Sequence, residues 1–102
     1  MPEFATPFSG NNNPKKLSKD ELIRALRYDV AAEYEATQLY EQLIDATDDK
    51  LAKAVLKDIA EEELKHAGQF LRLIEHLSPD DETKYKEGFE ETVSMIKKLK
   101  KK

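Results

Sequence analysis

Cysteine and tryptophan are absent from this sequence of 102 residues, which contains only three glycines and four prolines. Without cysteine the chain has no disulfide, no zinc–thiolate site and no thiol nucleophile, so any metal ion needs oxygen and nitrogen ligands. Few glycines and prolines, together with 37% charged residues, are typical of a helical bundle with a solvated outer face. The composition therefore predicts one small all-α domain.

Long apolar runs and a positive net charge are also lacking. No apolar stretch approaches the ~20 residues of a membrane-spanning helix, and the beginning, MPEFATPFSG, lacks the basic and apolar regions of a signal peptide. The net charge of −4 argues against a dedicated nucleic-acid binder. The lysines of 97–102 fit the negative dipole end of a helix. We expect a cytoplasmic protein that binds neither nucleic acid nor membrane.

The spacing of prolines and polar residues divides the chain. Residues 1–17 hold three of the four prolines and are predicted to form an irregular arm, followed by a helical domain over 18–102. Its three helices are predicted at about 18–46, 49–77 and 81–99. The first two, joined by a short break, form an antiparallel hairpin, and the third is shorter.

The helix starts are predicted from N-cap residues. Ser18 and Glu21 have the spacing of a capping box, in which each side chain bonds the other residue's backbone. For the second and third helices the predicted caps are Thr47 or Asp48, and Asp80 or Asp81.

Each helix of the hairpin carries a stripe with the heptad-like spacing of a helix–helix seam. Both stripes lose their apolar character at mid-length, at Glu33 in the first helix and at Glu63 and His66 in the second. The stripes comprise Ile23, Leu26, Val30, Glu33, Thr37, Tyr40 and Ile44, and Ala52, Leu56, Ile59, Glu63, His66, Phe70, Leu73 and Leu77.

The two interruptions are predicted to face each other. Glu33 and Glu63 are each fifteen residues from Asp48 in the break, so an antiparallel hairpin places both roughly 22 Å from the turn. His66 follows Glu63 by one helical turn on the same face. Buried carboxylates are normally paired or bound to metal, and the first stripe has no lysine or arginine. A divalent cation is therefore the favoured partner, whereas His76 has no acidic companion at ligand spacing.

One chain supplies only half of a familiar ligand set. Di-iron carboxylate bundles use a glutamate plus Glu-x-x-His twice, from four helices. Two copies related by a two-fold axis would complete both the set and a four-helix bundle. The third helix has an apolar face that either covers the hairpin or makes a higher-order contact, formed by Tyr85, Phe89, Val93 and Ile96.

Glu33, Glu63 thirty residues later and His66 resemble the pattern of the encapsulated ferritins, within the ferritin and rubrerythrin superfamily. "AAEYEATQLYEQL" and "GFEE" extend the resemblance over roughly residues 20–96. It implies a ferroxidase that oxidises Fe(II) with O2 at a di-iron site, with one metal per subunit at the homodimer interface. Glu33 would be a terminal ligand, Glu63 would bridge the irons and His66 would complete each coordination sphere.

The resemblance further implies dimers assembled into rings and enclosed by an encapsulin shell in the cytoplasm. Glu35 matches an acidic position that attracts metal, and Tyr40 an aromatic near the irons, although a solvated acid and a core tyrosine are the simpler interpretations. Shell association stays open, because neither terminal segment resembles a shell-targeting peptide.

Two other functions stay open. One is a different dimetal enzyme that handles peroxide or uses manganese, and manganese or zinc could also substitute for iron. The other is a metal-free helical oligomerisation module. A rubrerythrin activity is disfavoured, because its rubredoxin domain needs cysteines that this chain lacks.

Overall fold

A computed structural model describes residues 16–101 and contains three helices: α1 (Lys19–Ala46), α2 (Lys50–Leu77) and α3 (Pro79–Lys100). No strand occurs in this range, so the predicted all-α class, with two long helices and a shorter third, is confirmed. The predicted arm lies outside the described residues except for its last two positions. Within 16–101 no helix is both long and apolar enough to cross a membrane.

The capping box at the start of α1 is confirmed. The Glu21 N–H donates to Ser18 Oγ at 3.1 Å, and the Ser18 N–H donates to Glu21 Oε1 at 2.9 Å. These two bonds satisfy backbone donors that have no partner within the helix. The beginning of α1 is therefore determined locally.

The predicted caps of the other two helices are wrong by one to three residues. Asp49 caps α2, and the Thr47 hydroxyl instead accepts a bond from the Asp49 N–H within the turn. Ser78 caps α3. Pro79 has no N–H to leave unsatisfied and a φ suited to a helix, so α3 begins directly at this proline rather than after it.

The core forms where the start of α1 packs against the end of α2, which makes the pair antiparallel. Ile23, Leu26 and Val30 of α1 surround Ile74 of α2, which is fully buried. Phe70, Leu71 and Leu77 pack around this cluster.

The predicted stripe is right for α1 and partly wrong for α2. Ile59 and Leu73 are 37% and 42% exposed, whereas Ala60, Ala67 and Ile74, one position further along, are buried. Small alanines allow the two helix backbones to approach closely. The larger Ile59 and Leu73 are consequently left on the flank of the hairpin.

Polar contacts near its first turn connect helix α3 to the hairpin. Arg27 Nη2 of α1 donates to both carboxylate oxygens of Asp81, at 3.0 and 3.2 Å. The Ser78 hydroxyl donates to the same carboxylate at 2.8 Å, and the Tyr85 hydroxyl does so at 3.4 Å. No residue of α3 is buried, so the idea that it covers the hairpin is wrong.

We expect Arg27→Ala to loosen α3 while leaving the hairpin intact. Arg27 holds the pKa of Asp81 below its ordinary value, so this contact stabilises the fold above pH ~4 and is lost as the pH falls through the lowered pKa. A partly exposed ion pair contributes about 0.2–1 kcal/mol. Amide exchange in α3 should therefore accelerate by about 1.4- to five-fold at neutral pH.

Hydrogen exchange measured by mass spectrometry tests this expectation, with Arg24→Ala as the control for loss of an α1 guanidinium. Unchanged α3 exchange in the Arg27 variant, or equal acceleration in both variants, contradicts it.

Candidate metal centre

Three metal-ligating side chains meet between α1 and α2. Glu33 comes from α1, and Glu63 and His66 come from successive turns of α2. One donor atom of each lies within 4.8 Å of the other two. His66 Nδ1 is 3.7 Å from Glu33 Oε2 and 3.8 Å from Glu63 Oε2. The antiparallel hairpin and the i,i+3 spacing together create this cluster.

The cluster carries surplus negative charge, and its carboxylates are largely shielded from solvent. The Glu33 and Glu63 side chains are only 17% and 20% exposed. Among the described residues their only ion-pair partner is His66, which even when protonated neutralises one of the two carboxylates. Leaving the other without a counter-charge is unfavourable unless a cation binds.

One oxygen of the cluster has no hydrogen bond. Glu33 Oε2 is buried, and no donor among the described residues reaches it. An unsatisfied buried acceptor is destabilising by about 1–3 kcal/mol. The nearby Thr37 hydroxyl does not help, because it donates to the Glu33 backbone carbonyl at 2.8 Å. The orphaned oxygen is therefore available as a ligand.

The donor types and separations fit a hard or borderline divalent cation. Ligands at about 2.0–2.2 Å from one ion are separated from each other by about 3–3.5 Å. The 3.7 and 3.8 Å separations are close to that range but too long for hydrogen bonds. Two carboxylates and one imidazole suit Fe(II) or Mn(II) better than copper.

Glu35 and Tyr40, the two further site residues predicted from the sequence, lie beside the carboxylates. Both line a cavity of about 290 Å³ together with Glu33 and Glu63. Ala32, Ala36 and Leu39 complete its wall. The cavity therefore lies directly beside the Glu33 and Glu63 carboxylates and includes a third one, Glu35, while His66 lies outside its lining.

The flank of the hairpin next to His66 is open and apolar, a feature that the sequence analysis missed. Ile59, His66 and Leu73 are seven residues apart and share one face of α2, where the His66 side chain is 46% exposed. Leu39 and Leu43 of α1 are also 48% and 44% exposed, but they lie nearer the turn between the two helices than His66 does. The seven-residue spacing of Ile59, His66 and Leu73 was the sequence feature that could have predicted this face.

Known proteins resemble this chain in sequence and in fold. The sequence model of the rubrerythrin family matches residues 24–102. A solved structure, the encapsulated ferritin domain from Pyrococcus furiosus, is similar with a TM-score of 0.77 and 37% sequence identity, covering 88% of this chain and 91% of that one. The resemblance inferred from the Glu33, Glu63 and His66 pattern is thereby confirmed.

Two curated relatives are similar over most of this chain. The encapsulin nanocompartment cargo protein EncC of Myxococcus xanthus is 42% identical over 77 residues, which are 76% of this chain and 59% of that protein. The ferritin-like–encapsulin shell fusion protein of Pyrococcus furiosus is 40% identical over 80 residues, 78% of this chain and 23% of that protein. The chain thus spans only part of both relatives.

Proposed function

The chain belongs to the rubrerythrin family, and we propose that it is a ferroxidase that oxidises Fe(II) to Fe(III) with O2 for iron storage or detoxification. The observation that carries this proposal is the cluster of Glu33, Glu63 and His66, with its surplus negative charge and an orphaned Glu33 oxygen. These are the ligand types of ferritin-like di-iron sites.

The site is shared between two copies of the chain. One copy supplies two carboxylates and one imidazole, which is half of a di-iron ligand set. The exposed apolar residues flanking His66 give a second copy a surface to pack on. A two-fold axis through this face would bring two clusters together. The paired clusters would then bind one iron per chain.

Each residue then has a distinct role. Glu33 would act as a terminal ligand, Glu63 would bridge the metals, and His66 would complete the coordination of its own chain's iron. Fe(II) held by these residues would supply the electrons for the reduction of O2. Carboxylate ligands favour the ferric product, and Glu35 and Tyr40 line the cavity by which Fe(II) reaches the site.

The names of two relatives support a further proposal, on where this protein works in the cell. One is named a cargo protein and the other a shell fusion protein of encapsulins. This chain is proposed to work inside an encapsulin shell in the cytoplasm, as dimers joined into a larger ring. Enclosure would keep the ferric product apart from the rest of the cell.

The proposal is tested by Fe(II) oxidation in air, followed as ferric absorbance, with and without the purified chain. Oxidation much faster than in buffer, at a stoichiometry of one iron per chain in the first phase, supports a ferroxidase. A rate equal to buffer overturns it.

The same ligand set suits Mn(II), so a manganese or peroxide-handling enzyme is the second candidate. Metal analysis of the purified protein and its peroxide turnover separate the two functions. Manganese retained in preference to iron, with rapid loss of peroxide, would favour the second.

A further inference from the structure

The most buried polar residue between positions 16 and 101 is Thr37 of α1, which is 5% exposed. It follows Glu33 by four residues, so it lies one helical turn further along the stripe that faces α2. Its hydroxyl donates to the Glu33 backbone carbonyl at 2.8 Å. A buried threonine is thus bonded to the backbone of a candidate metal ligand.

Neither packing nor helix formation explains the Thr37 hydroxyl. Valine has nearly the same shape and no polar group to satisfy, so it suits a buried seam better. A threonine that bonds the carbonyl four residues back also slightly destabilises a helix. The other buried places of the α1 stripe are filled by Ile23, Leu26 and Val30. The hydroxyl is therefore slightly unfavourable for the fold, which indicates a role outside folding.

The hydrogen bond from Thr37 acts on the backbone at Glu33. In a regular helix this carbonyl already accepts the N–H of residue 37. A second donor, from the side chain, tilts the carbonyl and often bends the helix at that turn. The direction in which the Glu33 side chain leaves α1 therefore depends in part on the Thr37 hydroxyl.

Glu33 is the ligand whose place depends most on its own backbone. It is the only member of the cluster from α1, whereas Glu63 and His66 share α2 and keep their mutual spacing when α1 shifts. Its buried Oε2 accepts no hydrogen bond from residues 16–101, so no donor there holds this oxygen. The 3.7 Å separation between Glu33 Oε2 and His66 Nδ1 consequently follows the course of the α1 backbone.

We infer that Thr37 is a positioning residue for Glu33. Its hydroxyl holds the turn of α1 that carries this ligand, and thereby keeps the carboxylate within reach of the ion that Glu63 and His66 also bind. Thr37 contributes no ligand atom, because its hydroxyl is bonded to the backbone. This inference rests on the metal centre proposed above and adds to it a residue that sets its geometry.

Mn(II) binding to the purified chain tests this role without any oxidation. The electron paramagnetic resonance signal of free Mn(II) gives the dissociation constant, measured at matched chain concentrations. Thr37→Val removes the hydroxyl and should weaken binding by about 10- to 100-fold, as loss of a group that orients a metal ligand does. Thr37→Ser keeps the hydroxyl and should bind Mn(II) as the natural chain does.

Thr83→Val is the matched control. The Thr83 hydroxyl donates to the Pro79 carbonyl at 3.1 Å, which is the same bond to the carbonyl four residues back, but it lies in α3 and on an exposed residue. Its loss should leave the dissociation constant for Mn(II) unchanged. If Thr83→Val weakens binding as much as Thr37→Val does, the effect belongs to helix stability in general and the inference is wrong.

Urea unfolding of the metal-free variants separates positioning from a contribution to the fold. Thr37→Val should be at least as stable as the natural chain, since a bond of this kind does not stabilise a helix. Lower stability of metal-free Thr37→Val would make Thr37 a structural residue and overturn the inference. Equal Mn(II) binding by Thr37→Val and the natural chain, or equally weak binding by Thr37→Ser and Thr37→Val, would also contradict it.

Failure of the ferroxidase proposal gives a different result. A natural chain that binds Mn(II) but oxidises Fe(II) no faster than buffer is not a ferroxidase, and the Thr37 variants still decide the positioning role. A natural chain that binds no Mn(II) overturns both the metal centre and the role of Thr37.

Discussion

Replacement of His66 by alanine is expected to reduce Fe(II) oxidation in air to the rate in buffer. His66 is the only nitrogen donor of the cluster, and its Nδ1 lies 3.7 and 3.8 Å from the two carboxylates. Loss of groups that merely orient metal ligands lowers affinity or activity by about 10- to 100-fold, so loss of a ligand should exceed about 100-fold. Initial rates of ferric absorbance at matched chain concentration measure the effect.

His76→Ala is the matched control, since it removes the other histidine, ten residues further along α2 and outside the cluster. It should oxidise Fe(II) at the natural rate. If both variants keep that rate, the cluster is not the oxidation site. If both lose it, the loss comes from damage to α2 rather than from a missing ligand.

Glu33→Gln is expected to make the metal-free chain more stable and to remove its stabilisation by metal. In the natural chain, Glu33 Oε2 is buried without a hydrogen bond and shares its surroundings with Glu63. A neutral amide removes the repulsion and the desolvated charge, which should raise the free energy of unfolding by about 1–3 kcal/mol. The amide is a poorer ligand, so added metal should no longer help.

Thermal unfolding with chelator and with Mn(II) measures both effects, and Mn(II) avoids oxidation during the experiment. For the natural chain, metal at a hundred times its dissociation constant adds about 2.7 kcal/mol. Glu61→Gln removes an exposed carboxylate outside the cluster and should leave both values unchanged. A metal-free Glu33→Gln chain that is less stable than the natural one would show that the carboxylate is satisfied without metal.

The candidate site was largely predictable from the sequence because helix geometry is rigid. Counting fifteen residues in each direction from Asp48 places Glu33 and Glu63 at one height, and a further helical turn adds His66. The structure brings these three residues together as that count requires. No tertiary information beyond an antiparallel hairpin was needed.

The buried face of α2 was less predictable, for a physical reason. Neighbouring stripes of this helix are both apolar, and Ile59 and Leu73 are larger than Ala60 and Ala67. Size favours the first stripe, but close approach of two helices favours the small residues of the second. Sequence periodicity alone does not show which of those two effects is larger.

The direction of α3 was beyond the reach of local patterns. The contact that connects it to α1 joins Arg27 and Asp81, which are 54 positions apart, through one guanidinium nitrogen and both carboxylate oxygens. The errors in the predicted N-cap residues have a simpler cause. Thr47, Asp48 and Asp49 are consecutive and all suitable, so the choice among them is made by the geometry of the turn.

The partial exposure of His66 makes the expected activity depend on the concentration of the protein. A solitary chain encloses its two carboxylates but leaves the imidazole 46% exposed, so under the shared-site proposal it holds an incomplete coordination sphere. Turnover per chain should then rise with chain concentration until pairing is saturated. A cell making this protein would gain oxidising capacity steeply above a threshold of expression, and dilute, newly synthesised chains would remain inert toward iron and oxygen.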